Sequence, residues 1–101
     1  MTFIELQQRF VVGLERRLSE ITDSLAGARN PESLMLMFHS LAGIAGTYGF
    51  HRITRVSREC EEFCVAVMSA NGTLTDENIG RLQRSVETMR EAQASPEPSL
   101  R

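Results

Sequence analysis

His39 is the residue of this chain whose type and setting are best suited to chemistry. Near neutral pH an imidazole can act as a nucleophile, a general base or a metal ligand. In a helix whose buried side carries Leu34, Phe38 and Leu41, a turn of about 100° per residue points His39 roughly 140° away from the core. No second histidine, acid or thiol lies one turn away on that outer side, so the sequence predicts no metal site there.

The outer side of this predicted helix has an unusual composition. The solvent face of a bundle helix is normally rich in charged residues and glutamine. Here the residues around His39 are small and apolar, namely Met35, Leu36, Ala42, Gly43 and Gly46. Each glycine inside a helix costs about 1 kcal/mol relative to alanine. Such a patch around one titratable residue is typical of a docking surface. The alternative is a surface histidine without a function, beside glycines that pack against a second copy.

Length and charge narrow the classes of function. The chain has 101 residues, with 11 arginines, no lysine, 13 acidic residues and a net charge of -2. This length predicts one domain, and the near-neutral balance argues against a nucleic-acid partner, which requires a basic face. No apolar run approaches the ~20 residues of a membrane span, and the first residues do not resemble a secretory signal. We therefore expect a cytoplasmic protein with no membrane contact.

The chain contains two cysteines, Cys60 and Cys64, four residues apart. On a helix they lie side by side on one face, which does not favour a disulfide, and two thiols without further ligands make a poor zinc site. We predict that both are reduced residues of the core.

Four segments show the spacing of amphipathic helices. The first runs from about Thr2 to Leu25, the second opens at Asn30, the third covers about 51–70, and the fourth starts at Thr73 or Thr75. The apolar stripes that define them are Ile4, Val11, Leu14, Leu18, Ile21 and Leu25; Leu34, Met37, Phe38, Leu41, Ala45 and Tyr48; Ile53, Val56, Cys60, Phe63, Cys64 and Val67; and Ile79, Leu82, Val86 and Met89. No stretch has the alternating pattern of a strand.

These helices each carry one narrow apolar stripe, and they can bury those stripes together in a bundle. The sequence therefore predicts an all-α fold, an antiparallel up-down four-helix bundle. The bundle is expected to span residues 1–94. Residues 95–101 are polar and contain two prolines, and they are predicted to form a disordered C-terminal tail.

The run Phe38-His-Ser-Leu-Ala-Gly-Ile-Ala-Gly-Thr-Tyr-Gly-Phe50 resembles the signature of histidine-containing phosphotransfer (HPt) domains. In that family the histidine is followed by any residue, leucine, lysine and glycine, and a further glycine stands ten residues after the histidine. His39, Leu41, Gly43 and Gly49 match this pattern. On the third helix, the apolar positions Ile53, Val56 and Cys60 and the acidic residue Glu61 resemble the family as well.

The resemblance implies a phosphocarrier without enzymatic turnover of its own. Such domains accept a phosphoryl group from the aspartate of a receiver domain and pass it to another receiver. His39 is then expected to be phosphorylated on Nε2, while Glu61 accepts the proton of the other ring nitrogen and orients the imidazole. Gly43 would leave room for the loops of the receiver, and the apolar part of the interface would be formed by Met35, Leu36, Ala42 and Gly46.

The implied partners are the receiver domains of response regulators and of hybrid histidine kinases, and the chain is expected to act as a monomer. No cofactor is expected on this chain, because the receiver supplies the Mg²⁺ and the acidic pocket.

The chain departs from the family pattern at Ala42, where the family has lysine. Arg58, one turn before Glu61 on the third helix, is the candidate to supply the missing positive charge, and Arg52 and Arg55 are weaker candidates. The departure leaves open a second hypothesis, a degenerate module that docks on a kinase or receiver and regulates it without carrying phosphate. A third is a structural subunit that dimerises through its glycine-lined face.

Overall fold

The computed structural model describes residues 1–94, which form four helices and, within that range, no strand. The helices are α1 (Phe3–Ala26), α2 (Pro31–Thr47), α3 (His51–Ser69) and α4 (Asp76–Ala94). The predicted all-α fold class is confirmed, and the predicted helix bounds agree within about a turn. The predicted tail, 95–101, lies outside the described residues, so the proposed domain boundary stays a prediction.

Local hydrogen bonds explain where the helices begin. Thr2 and Glu5 form a reciprocal capping box at the start of α1, with distances of 3.1 and 3.0 Å. The hydrogen bond from the Thr2 backbone N–H lowers the pKa of the Glu5 carboxyl. Asn30 accepts the Ser33 N–H at 3.1 Å and caps α2. Thr75 and Asn78 exchange the same kind of reciprocal bonds at the start of α4.

The turn between α2 and α3 depends on Gly49. Its φ is 81°, in the left-handed region, and it follows the C-cap residue Tyr48. The Phe50 N–H donates to the Ala45 carbonyl at 2.9 Å, and the Gly49 N–H donates to the Gly46 carbonyl at 3.2 Å. This paired arrangement ends α2 and directs Phe50 into the core. The glycine ten residues after His39 therefore has a structural reason to be there.

The helices pack as a ring in which each contacts the next and α4 closes against α1. The closest pair is α2 and α3. His39 contacts Glu61, and Gly46 lies against Thr54, so in both pairs the residue numbers add to 100 and the two helices run in opposite directions. The connections within the described chain are short. These features are consistent with the predicted antiparallel up-down order.

The core confirms most of the predicted stripes but corrects α1. Ile4, predicted to be inside, is 64% exposed, whereas Phe10, which the prediction left out, is 6% exposed. The inward positions continue from Phe10 back to Gln7, which donates to the Tyr48 carbonyl at 2.7 Å. A stripe with alternating steps of three and four is compatible with either Phe10 or Val11 at the inward position. Phe10 takes that position, and its ring centroid lies 5.0 Å from that of Phe50.

Some residues of the predicted stripes lie at the edge of the core. Val11, Met37, Tyr48, Phe63 and Val67 are half-buried and pack against it.

Cys60 and Cys64 are free and buried, as predicted. Burial raises the pKa of each thiol to about 11, which keeps both protonated and poorly reactive near neutral pH. Beside them Ser57, also fully buried, donates to the Met89 sulfur at 3.2 Å and so has a partner for its hydroxyl.

Two glycines of the α2 region should respond oppositely to alanine. Gly49→Ala should lower the free energy of unfolding by about 1–2 kcal/mol, because alanine is strained at positive φ. Gly43→Ala should raise it by about 1 kcal/mol, because Gly43 is helical and nothing lies within 4 Å of an added Cβ. Urea unfolding followed by circular dichroism measures both. A Gly49→Ala variant at least as stable as the native protein would contradict the role of Gly49 in the turn, and a destabilised Gly43→Ala variant would contradict the open space at Gly43.

Candidate functional site

The site is built where α2 and α3 face each other at His39. The His39 Nδ1 lies 2.7 Å from the Glu61 Oε2. The His39 side chain is 67% exposed and the Glu61 side chain 20% exposed. Glu61 is therefore held between the helices while the imidazole projects from the surface. The sequence placed His39 on the outer side of its helix and the resemblance paired it with Glu61, and the structure brings the two side chains together.

This contact selects one form of the neutral imidazole. A carboxylate only accepts hydrogen bonds, so the proton of a neutral His39 ring resides on Nδ1 and donates to Glu61. The lone pair then lies on Nε2, which has no hydrogen-bond partner among residues 1–94. The arrangement presents a nucleophilic nitrogen to solvent, with a carboxylate behind the ring to stabilise a positive charge on it.

The outer side of α2 is largely as the sequence predicted. Leu36 is 56% exposed, Gly43 and Gly46 are exposed, and Met35 is half-buried. The space over Gly43 is open, one turn beyond His39. A partner can therefore approach the backbone of α2 closely beside the imidazole.

Ala42 was predicted to lie on the exposed side of α2, and this prediction is wrong: the residue is 1% exposed. The α2–α3 register that pairs Gly46 with Thr54 turns position 42 toward α3, where a small side chain allows the two helices to approach closely. Ala42 therefore belongs to the packing of the site and not to its surface.

Two exposed polar residues of this face, Ser40 and Thr47, were not singled out from the sequence. The signal that could have found them is the absence of charge, since residues 33–51 contain no Asp, Glu, Lys or Arg. A helix face this free of charge is rare unless it is buried by a partner. We refer to the exposed side of α2 formed by Leu36, His39, Ser40, Gly43 and Thr47 as the α2 face.

Arg58 lies beside the pair on α3. With Glu61, Glu62 and Val65 it lines a shallow surface depression. The register of the two helices places it across from Ala42, the position at which the resemblance expects lysine. Arg58 is exposed and has no ion-pair partner among the described residues. Arg55 is also exposed, one turn earlier on α3.

Within residues 1–94, no three histidine, cysteine, aspartate or glutamate side chains are grouped so that they could hold a metal ion. In the same range, no helix is both long enough and apolar enough to cross a membrane.

The hydrogen bond to Glu61 should be visible in the tautomer of His39. We expect the neutral ring to be mainly the Nδ1–H form in the native protein and to lose that bias in Glu61→Ala, because the acceptor is removed. Long-range ¹H–¹⁵N correlation spectra above the titration range measure this. His51, exposed and outside the site, serves as the internal control. A native His39 that is mainly the Nε2–H form would contradict the geometry.

Comparison with known proteins identifies the family of the chain. A family model described as Hpt domain matches residues 5–92, which is most of the chain and includes all of the site. No curated protein and no solved structure matches the chain. The match covers all four helices and the signature around His39. The chain therefore belongs to the Hpt domain family, a family of phosphotransfer modules of two-component signalling.

Proposed function

We propose that this protein carries a phosphoryl group on His39 between the aspartates of receiver domains, as an intermediate without turnover of its own. The observation that supports this most directly is the 2.7 Å contact of His39 with Glu61 on an otherwise exposed imidazole. The exposed imidazole can act as the nucleophile and is accessible to a partner, and the contact with Glu61 orients the ring. The predicted cytoplasmic location and monomeric state belong to this proposal.

The transfer step follows from the tautomer. The lone pair of Nε2 attacks the phosphorus of the aspartyl phosphate, a P–N bond forms, and the P–O bond to the aspartate breaks. The aspartate leaves as a carboxylate with the electron pair of that bond. The Nδ1 proton stays on the ring, which becomes positively charged, and Glu61 stabilises that charge through the hydrogen bond. The reverse sequence passes the group to the next receiver.

Two positive charges contribute to this step in the proposal. Mg²⁺ is held by the receiver and offsets the charge of the phosphoryl oxygens there. Arg58 supplies a guanidinium from α3, across from the position that carries lysine in the family pattern, and attracts the phosphoryl oxygens or the carboxylate of the receiver. Arg58 has room to do so because it is exposed and has no ion-pair partner among residues 1–94.

One observation favours a second candidate function. Ala42 is buried and the chain has no lysine, so α2 offers no cation beside His39. A degenerate module that docks on a kinase or receiver through the α2 face would keep the fold, the glycines and the apolar surface without needing phosphoryl transfer.

His39→Gln separates the two functions. Receiver domains from the same genome, phosphorylated with acetyl phosphate, are mixed with the native protein and with the variant. The native protein should gain an acid-labile, base-stable phosphoryl group and the variant none, because glutamine keeps the approximate size but has no nucleophilic nitrogen. Binding of the receiver should persist in both. If both proteins bind a receiver and neither is labelled, the docking module replaces the phosphocarrier.

Removal of Arg58 tests its part in the transfer. Arg58→Ala should slow transfer from a saturating receiver by about tenfold or more, since a charged donor to the phosphoryl group is lost. Arg58→Lys should retain most of the rate. Arg84→Ala, an exposed arginine on α4, is the matched control and should have no effect. An unchanged rate in Arg58→Ala would remove Arg58 from the mechanism.

A further inference from the structure

The charges around the α2 face are not distributed evenly. The face itself is uncharged, so the electrostatic field over it comes from the helices on either side. Two ends of the face can be distinguished. The glycine end is the part around Gly43 and Thr47, and the leucine end is the part around Leu36 and His39.

On the α3 side, arginines flank the glycine end and glutamates flank the leucine end. The α2–α3 register places Arg55 and Arg58 level with residues 42–45 along the bundle. The same register places Glu62 level with residue 38, and Glu62 lines one depression with Arg58 and Glu61. Both arginines and Glu62 are exposed.

On the α1 side the same order is found independently. Arg9 and Arg17 line a groove with Ile44, Thr47 and Tyr48, so they flank the glycine end. Glu20 lines the neighbouring groove with Leu36 and Met37, so it flanks the leucine end. Arg17 also reaches this second groove, and it marks the boundary between the two ends.

Folding does not account for this pattern. On α3 the three arginines precede the three glutamates, which is the reverse of the order that the helix macrodipole favours. Arg9, Arg17, Arg55, Glu20 and Glu62 have no ion-pair partner among residues 1–94. The carboxylate of Glu5, one turn before Arg9, is bonded to the Thr2 backbone instead. These charges therefore act outward.

We propose that this polarity sets the orientation in which a phosphorylated receiver docks. The acidic edge of the receiver's carboxylate pocket lies over the glycine end, between the arginines of α1 and α3, and a basic edge lies over Glu20 and Glu62. The proposal rests on the proposed function, because it identifies the partner as the phosphodonor of His39. The argument is charge complementarity across an uncharged face that lets the partner's backbone approach.

Two opposite charge reversals test the orientation. The variant Arg9→Glu/Arg55→Glu reverses two of the four arginines and cancels the net positive charge of the glycine end, and Glu20→Arg/Glu62→Arg makes the leucine end positive; neither touches His39, Glu61 or Arg58. The control Arg81→Glu/Arg84→Glu changes the net charge as the first variant does, at exposed sites on α4, which packs against α1 and α3 and not against α2. Each protein is mixed with acetyl-phosphate-labelled receiver, and the second-order rate constant of transfer is measured at low and high salt.

Both face variants should slow transfer by about tenfold at low salt, and both effects should fade at about 1 M salt, whereas the control should stay near the native rate. General attraction of an acidic partner would instead make Glu20→Arg/Glu62→Arg faster than the native protein, and that result would overturn the proposal. So would native rates in both face variants.

Failure of the proposed function is distinguishable, because the native protein itself would then remain unlabelled. In that case the same variants are compared in equilibrium binding to the receiver, where the two face variants should still weaken binding relative to the control. Binding unchanged in both would contradict the orientation.

Discussion

The hydrogen bond from His39 Nδ1 to Glu61 is the interaction on which the rest of the site depends. It joins an exposed imidazole on α2 to a mostly buried carboxylate on α3, and it holds only if the two helices keep their spacing and register. The spacing is close because Ala42 and Gly46 present little side chain to α3. The register begins at the Gly49 turn, which fixes where α3 starts relative to His39. A local pattern of small residues thus controls one chemical contact.

The outer side of α2 carries a stability cost that the core offsets. Helical glycines and an exposed leucine are less favourable there than alanine or a charged residue. The tightly filled interior, with Phe38, Leu41 and Leu14 almost wholly buried, supplies the compensating hydrophobic energy. A surface that is costly to the isolated fold is reasonable where a second molecule covers it during function.

The sequence was sufficient for the features set by helical periodicity and by local caps. The four helices, the Asn30 cap, the buried cysteines, the exposure of His39 and its pairing with Glu61 follow from spacing or from the family resemblance. The sequence was not sufficient to decide which of two neighbouring residues is buried. Ala42 lies where the α2–α3 contact meets the exposed side of α2, and its burial is decided by the distance between the two helices. The choice of Phe10 over Ile4 and Val11 depended on packing against Tyr48 and Phe50 in the turn between α2 and α3, which no local pattern of α1 reveals.

The central claim is that Glu61 occupies Nδ1 and thereby leaves Nε2 to carry the phosphoryl group. The most direct measurement is a ³¹P and ¹⁵N spectrum of the native protein after phosphorylation, in which coupling across the P–N bond identifies the bonded nitrogen of His39. We predict phosphorus on Nε2 with the Nδ1 proton retained. Phosphorus on Nδ1, which would require the contact with Glu61 to be broken, would contradict the account.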